Sequence, residues 1–403
     1  MSVGLQEPLS GPAPTKSGQF ASIIGRLGAL PERLRRPTSN AKFLAEIDGL
    51  RFVAILSVLF VHVGAYTLGR LRQAGATGMD GEWWASAYTH LERGVDLFFV
   101  ISGFIIALPF VQAYRTGRPT PAFSDYLKRR LYRLEPPFVV AMTFTFAGLV
   151  LFHGVSFREQ WPRFLATVTY LHGLIFGEKS TINFVTWSLE IEVQFYLLAP
   201  VIFTSMLVRS GFWRRTLFVV MGALSLFAFV RLRSDIPLMH GLLPAYLATF
   251  IGGVFLADLH FAGSLRQTRF GPAWDILGLA ALAFGFAVDR NDGWGLFAMS
   301  VAFSVFVASA FKGAWLPKVL ANRWVSVIGG MCYSIYLIHM PLIYLIGKAT
   351  SRALIGGSFP LNFLLQSLLI IPPVLVLSGV FFRFVELPFM SMRGRRLVRE
   401  KHP

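Results

Sequence analysis

The sequence has little charge and almost no cysteine. Only 15% of its 403 residues are Asp, Glu, Lys or Arg, whereas 54% are hydrophobic, and its mean hydropathy is +0.58. Soluble proteins of this length are far less apolar, so the composition excludes a water-soluble fold and predicts a polytopic membrane protein. The single cysteine, Cys332, excludes an intramolecular disulfide and any cysteine-rich metal site, and we expect no bound metal.

Acidic residues are scarce as well. The chain has 21 Asp and Glu against 38 Lys and Arg, which gives a net charge of +17. Such an excess can indicate nucleic-acid binding, but here the basic residues cluster in short segments between apolar runs, where positive charge sets membrane orientation. We therefore expect no nucleic-acid partner. About 46 mostly polar residues precede the first apolar run, so no cleavable signal peptide is predicted.

Hydropathy predicts ten membrane-spanning helices. They cover residues 47–66, 94–114, 137–155, 185–208, 216–232, 241–259, 273–288, 294–311, 325–346 and 361–385. An eleventh apolar stretch, 164–176, is only about 13 residues long, which is too short for an ordinary span. We interpret this stretch as a re-entrant or interfacial segment.

The distribution of basic residues supports ten spans. With both termini in the cytoplasm, ten spans place about 25 Lys and Arg inside and about 10 outside, whereas eleven give about 18 and 17. The predicted fold is therefore all-α, with about ten transmembrane helices, cytoplasmic N- and C-termini and segment 156–184 outside. The predicted organisation is a basic tail over 1–46, one membrane domain over 47–388 and a second basic tail over 389–403.

Two polar residues share one face of the first span. Arg51 lies near its cytoplasmic end, and His62 follows eleven residues later. At about 100° per residue, eleven residues complete three turns plus about 20°, and at 1.5 Å per residue they rise about 16 Å. A charged group within lipid costs roughly 2.5–3.5 kcal/mol, so such residues usually face a protein interior or a watery cavity.

Three other spans bring polar groups to the outer half of the bilayer. Asp96 lies at the outer end of the second span, Glu192 in the fourth and His339 in the ninth. His62 lies at a similar depth to these three residues, which predicts that all four face one cavity. Glu190 lies about 200° around the helix from Glu192, so the two glutamates cannot face the same site.

Further polar side chains accompany these groups. Ser188 and Tyr196 are each four residues from Glu192 and share its face, and Tyr336 lies one turn below His339. In the predicted cytoplasmic loop before the third span, Arg130 and Arg133 form either an anion-binding patch or a positive-inside anchor. Charge alone leaves both interpretations open.

Five stretches resemble, in order and spacing, the motifs of the acyltransferase 3 family of membrane O-acyltransferases. They are "IDGLRFVAILSVLFVH", "GVDLFFVISGFII", "RRLYR", "WSLEIEVQFY" and "YSIYLIHMPL". The resemblance implies a ten-span enzyme of the bacterial cytoplasmic membrane that moves an acyl group, expected to be acetyl, from cytoplasmic acyl-CoA to a hydroxyl of a carbohydrate or glycolipid. It also implies the stand-alone type, without the extracytoplasmic SGNH hydrolase-like domain of longer relatives.

The resemblance also implies roles for the polar residues. The family motifs fall on Arg51 and His62, on Arg130 and Arg133, and on the stretch that contains Glu192. We hypothesise that His62 is the general base or a transient acyl carrier, because imidazole titrates near neutral pH, although a lone histidine in a helix is often structural. Glu192 and Asp96 are expected either to orient His62 or to bind acceptor hydroxyls. The other expected roles are donor binding by Arg51, Arg130 and Arg133, and substrate contacts by Ser188, Tyr196, Tyr336 and His339.

Alternatives remain at this stage. Arg51 could form a structural ion pair with Asp48, and Glu192, Asp96 and His339 could be packing groups. A transporter would also carry polar groups at mid-membrane depth, although no repeated half is present. The same chemistry could act on a lipid or small-molecule acceptor, because no residue codes for a sugar. Cys332 as an acyl carrier is disfavoured, since no neighbour in the sequence would stabilise its thiolate.

Overall fold

A computed structural model describes residues 32, 34, 44–75, 84, 87–120, 122–232, 243–289 and 292–390. The helices named below all belong to one compact unit. Glu32 and Leu34 belong to a separate unit. Most of the two predicted tails, 1–46 and 389–403, lies outside the described residues.

All regular secondary structure in these ranges is helical. The α-helices, in chain order, are α1 (Ala45–Gln73), α2 (Gly94–Thr116), α3 (Phe123–His153), α4 (Phe157–Val168), α5 (His172–Phe176), α6 (Trp187–Phe203), α7 (Gly211–Leu232), α8 (Leu247–Phe261), α9 (Gly271–Ala287), α10 (Gly293–Lys312), α11 (Leu316–Leu320), α12 (Arg323–Gly330), α13 (Cys332–Thr350) and α14 (Phe359–Phe381). A π-helical turn, Phe382–Glu386, continues α14.

Ten helices correspond to the ten predicted spans. Among the residues that the structure describes, eight helical segments are long and apolar enough to cross a membrane: those built on α1, α2, α3, α6, α7, α10, α13 and α14. Two shorter apolar helices, α8 and α9, lie where the sixth and seventh spans were predicted. The protein is therefore an all-α polytopic membrane protein, as the hydropathy pattern predicts. The side of the membrane on which each terminus lies stays a prediction.

The boundaries of two predicted spans differ from the helices. The predicted ninth span, 325–346, is divided at Met331 into α12 and α13. Gly329 and Gly330 end α12, and glycine pairs are common sites of helix breaks because glycine favours helical backbone poorly. The predicted sixth span, 241–259, becomes α8 over Leu247–Phe261 after a 3₁₀ turn at Leu243–Ala245.

The short apolar stretch 164–176 is not a single helix. It contains the end of α4 and the five residues of α5, which are separated by Tyr170 in the left-handed region with φ 59°. Neither helix reaches the roughly 20 residues needed to cross a bilayer. Its re-entrant or interfacial position stays a prediction.

Helix α1 lies at the centre of the bundle. Its side chains Leu50, Ile55 and Leu59 are at most 1% exposed, and it packs against α2, α12, α13 and α14. The contact with α12 is close, because a Cβ at Gly329 would lie 1.7 Å from the Asp48 carbonyl oxygen. Glycine therefore lets the two backbones approach at the level where Arg51 leaves α1.

A buried ion cluster joins α2, α7 and α8. Asp258 is fully buried and accepts hydrogen bonds from Arg214 Nε and Nη2 at 3.1 and 2.6 Å and from Arg215 Nε at 2.9 Å. Arg115 Nη2 lies 3.5 Å from the same carboxylate. Each of these charges is partly neutralised by its neighbours, which makes their burial tolerable.

Candidate functional site

A pocket opens between α1, α2, α3, α6 and α13. The space within it and at its open mouth amounts to about 830 Å³, part of which is open to solvent. Its lining residues, which define the arginine pocket, are Arg51, Val95, Phe98, Phe99, Ser102, Ile105, Ile106, Arg130, Arg133, Leu134, Ser188, Leu189, Glu192, Tyr196, Cys332, Tyr333 and Tyr336. Three guanidinium groups face one carboxylate here, so the lining carries an excess of two positive charges and suits an anionic ligand.

Arg51 forms the ion pair with Asp48 that the sequence left open, and its role in donor binding stays a prediction. Its Nη1 donates to Asp48 Oδ1 at 2.9 Å, one turn earlier in α1, and its side chain still lines the pocket. Asp48 is 2% exposed. The carboxylate therefore holds the guanidinium in place without withdrawing it from the cavity.

The basic stretch around Arg130 is helical, which corrects its prediction as a loop. Helix α3 begins at Phe123, so Arg130 and Arg133 are one turn apart on one face and both enter the pocket. Arg130 lies over the Tyr196 ring, with 5.9 Å from its guanidinium carbon to the ring centroid. Arg133 has a buried Nε without a hydrogen-bond partner. An unsatisfied donor in a basic pocket is suited to a ligand that accepts hydrogen bonds.

Glu192 faces the pocket, whereas Glu190 points to another helix, as helical periodicity predicts. Glu192 Oε1 accepts hydrogen bonds from Ser102 Oγ at 3.0 Å and from Tyr196 Oη at 2.6 Å. Glu190 Oε2 accepts from the Gly173 backbone N–H at 2.8 Å, at the start of α5. Glu192 is thus oriented by α2 and by its own helix.

Tyr336 connects α13 to the start of the fourth span. Its hydroxyl lies 2.8 Å from Ser188 Oγ and donates to the Val185 carbonyl oxygen. Both Ser188 and Tyr336 line the pocket. The structure therefore brings these two predicted substrate-contact residues together, 148 positions apart in sequence.

The two histidines form a pair beyond the arginine pocket. The ring centroids of His62 and His339 are 5.1 Å apart, and Phe184 packs edge-on against His62 at 5.3 Å. The lining residues of the pocket include neither histidine, but Tyr336 connects the two regions, since its ring lies 5.6 Å from that of His339. The arginine pocket and this histidine pair are therefore neighbouring parts of one site.

Asp96 is a predicted site residue that does not line the arginine pocket. It occupies the first turn of α2, is fully buried and is not among the residues that line the pocket. Its neighbour Val95 contributes to the lining instead. Its role in orienting His62 stays a prediction.

The lining residues that the sequence did not indicate include Ser102 and Cys332. Ser102 was hidden within the apolar run of α2, and no other polar residue at helical spacing marked it. Cys332 was disfavoured for want of a neighbour that could stabilise a thiolate, and this premise is wrong. Cys332 is the first residue of α13, and it lines the pocket together with Arg51 and Arg133. These neighbours come from α1 and α3, so the local sequence could not indicate them.

Comparisons with known proteins agree with these motifs. A family model described as "Acyltransferase domain" matches residues 44–383. The chain is 26% identical over 379 residues to "O-acetyltransferase OatA" of Staphylococcus aureus strain NCTC 8325 / PS 47, which covers 87% of this chain and 57% of that protein. It is 22% identical over 374 residues to "Putative O-acetyltransferase SACOL0978" of strain COL, with coverage of 86% and 57%. The chain thus spans little more than half the length of these relatives. No solved structure matches it.

Proposed function

Because this chain belongs to the acyltransferase 3 family, we propose that it is a membrane O-acyltransferase that uses acyl-CoA, with acetyl as the acyl group. The proposed acceptor is a hydroxyl of a cell-envelope or exported carbohydrate or glycolipid, and the proposed location is the bacterial cytoplasmic membrane. The observation that carries the proposal is a pocket with three arginines, next to a histidine pair.

The arginine pocket is the proposed donor site. Guanidinium groups bind phosphate oxygens with two parallel hydrogen bonds, and coenzyme A carries its phosphates at the end opposite the thioester. Arg51 and His62 are separated by about 16 Å along α1. A long donor whose phosphates contact Arg51, Arg130 and Arg133 would extend its thioester towards the histidines.

His62 is the proposed base. In direct transfer it removes the proton of the acceptor hydroxyl as the alkoxide oxygen attacks the thioester carbonyl carbon. The carbon–sulfur bond then breaks, and the proton returns to the departing thiolate. In the alternative two-step route, an imidazole nitrogen of His62 attacks the thioester carbonyl carbon and the coenzyme A thiolate leaves. The acceptor hydroxyl then attacks the acyl-imidazole, which frees the nitrogen, and the proton of the hydroxyl ends on the thiolate. Glu192, held by Ser102 and Tyr196 within the proposed donor site, is the residue proposed to orient His62.

The test uses the purified protein in lipid nanodiscs with labelled acetyl-CoA. Wild type should release free thiol and form an ester on an added saccharide, and His62→Ala should abolish ester formation while keeping the wild-type melting temperature. His153→Ala removes an exposed histidine at the end of α3 and is the matched control. A folded His62→Ala protein with full activity would refute the assignment of His62.

The acceptor class needs a separate experiment. Mass spectrometry of envelope glycans and lipids should compare a deletion strain complemented with wild type or with His62→Ala. An ester that is present on a carbohydrate with wild type and absent with His62→Ala would support the proposed acceptor. An ester lost from a lipid or small molecule alone would contradict it.

A further inference from the structure

Asn183 compensates for a proline in α13. Pro341 has no N–H, so the carbonyl oxygen of Leu337, four residues earlier, lacks its helical hydrogen bond. Asn183 Nδ2 donates to this oxygen at 3.1 Å, across 154 positions of sequence. Because a carbonyl can only accept, the amide nitrogen must face Leu337, and this fixes the orientation of the side chain.

The other amide atom of Asn183 is left without a partner. Asn183 is 5% exposed, and its Oδ1 is buried and accepts no hydrogen bond from the described residues. The backbone around it is also fixed, because Thr186 Oγ1 donates to the Asn183 carbonyl oxygen at 2.9 Å. The chain therefore holds a buried acceptor in one orientation and leaves it unsatisfied, which is costly unless a ligand or water supplies the donor.

His339 presents a second acceptor of the same kind. Its Nδ1 lies 2.7 Å from the Tyr336 carbonyl oxygen, so Nδ1 carries the hydrogen. In the neutral ring, Nε2 is then an acceptor, and this atom is buried without a partner in a residue that is 0% exposed. The unsatisfied atoms of Asn183 and His339 both require an O–H or N–H donor.

His339 lies beside His62, and Asn183 is adjacent in sequence to a second neighbour of His62, Phe184. The His339 ring is 5.1 Å from that of His62, and Asn183 directly precedes Phe184, whose ring contacts His62 at 5.3 Å. We propose that Asn183 Oδ1 and His339 Nε2 form the acceptor subsite, where they receive hydrogen bonds from neighbouring hydroxyl groups of a saccharide. This inference rests on the proposed function and adds Asn183 as a substrate-binding residue.

The chemistry of the subsite favours a polyol. Two fixed acceptors can be satisfied together by two O–H groups of one molecule, whereas a simple alcohol offers one donor. The two held hydroxyls donate their protons to these atoms, so the hydroxyl that His62 is proposed to deprotonate is a third one on the same molecule. Binding would also orient the alcohol, which is a large part of the advantage of an enzyme over solution.

The test separates ligand binding from the structural role of Asn183. Asn183→Ala removes both the Leu337 bond and the free oxygen. Pro341→Ala supplies a backbone N–H at position 341, so the double variant Asn183→Ala/Pro341→Ala lacks the oxygen but regains a partner for Leu337. Pro341→Ala alone is the matched control. The acceptor probe is methyl α-glucopyranoside, and acetyl-CoA is the donor.

We expect the double variant to raise the apparent KM for the glycoside about three- to tenfold over Pro341→Ala, the effect of one neutral hydrogen bond, with the KM for acetyl-CoA unchanged. Equal glycoside KM values in the double variant and Pro341→Ala would overturn the proposal. The only role of Asn183 would then be its hydrogen bond to the Leu337 carbonyl oxygen. An equal rise in both KM values would also overturn it.

Binding without turnover distinguishes this inference from the proposed function. Saturation-transfer NMR with the glycoside and no acetyl-CoA should show weaker binding to the double variant than to Pro341→Ala. If wild type releases no thiol from acetyl-CoA, the proposed function fails. The NMR comparison still decides the subsite, since equal binding by these two proteins would refute it.

Discussion

Substitution of Arg133 by glutamine should weaken donor binding without weakening the fold. Arg133 lines the arginine pocket, and its buried Nε has no hydrogen-bond partner among the described residues. A buried donor that has no partner contributes little to folding, because no contact compensates for its desolvation. Arg133 differs in this respect from Arg51, which is bonded to Asp48.

The expected size follows from the kind of contact that is lost. A hydrogen bond to a charged partner contributes about 1.5–3 kcal/mol, which corresponds to a factor of about 10 to 150 in binding. We therefore expect Arg133→Gln to raise the KM for acetyl-CoA by a factor that lies within this range. Its melting temperature should equal or exceed that of wild type.

The assay is thiol release from acetyl-CoA at a fixed saccharide concentration, together with a thermal unfolding curve for each protein. Arg129→Gln is the matched control, because Arg129 is an exposed arginine on the same helix. Its KM should stay close to that of wild type. An unchanged KM for Arg133→Gln, with or without a loss of stability, would refute the assignment of Arg133 to the donor site.

Three further predictions concern the scaffold. Gly329→Ala should lower stability by about 1–3 kcal/mol, because its Cβ would lie 1.7 Å from the Asp48 carbonyl oxygen and force α1 and α12 apart. Asp258→Asn should cost about 3–5 kcal/mol, since it leaves the buried Arg214 without its counter-charge. Burial lowers the pKa of His172, so the unfolded chain takes up a proton that the fold resists. The contribution of His172 to the free energy of unfolding should be fully present above about pH 6.5 and should be lost as the pH falls below this value.

Each scaffold prediction has a control measured by thermal unfolding. Gly148→Ala introduces a methyl group into open space on α3 and should leave stability unchanged or higher. Arg158→Gln, at an exposed site, should have little effect compared with Asp258→Asn. His172→Phe should flatten the decline between pH 7.5 and pH 5.5. Equal losses in variant and control, or a wild-type curve that is flat in pH, would contradict the corresponding prediction.

Much of the fold was predictable because lipid limits the alternatives. A spanning segment must satisfy its backbone internally and needs roughly 20 apolar residues, so hydropathy located ten helices. Helical periodicity also separated Glu192 from Glu190 correctly. It could not show that α3 begins before Arg130 or that Met331 divides the ninth span, because these boundaries depend on packing against other helices.

The sequence by itself determined the class of the protein, the number of its apolar helices and most of the polar residues of the site, because hydropathy and motif spacing are local properties. Only the tertiary structure decided which of these residues meet. It placed Cys332 beside two arginines from other helices, and it left Asp96 outside the pocket. It also joined Asn183 to the carbonyl left free by Pro341. These contacts link distant parts of the chain, and helix packing alone brings them together.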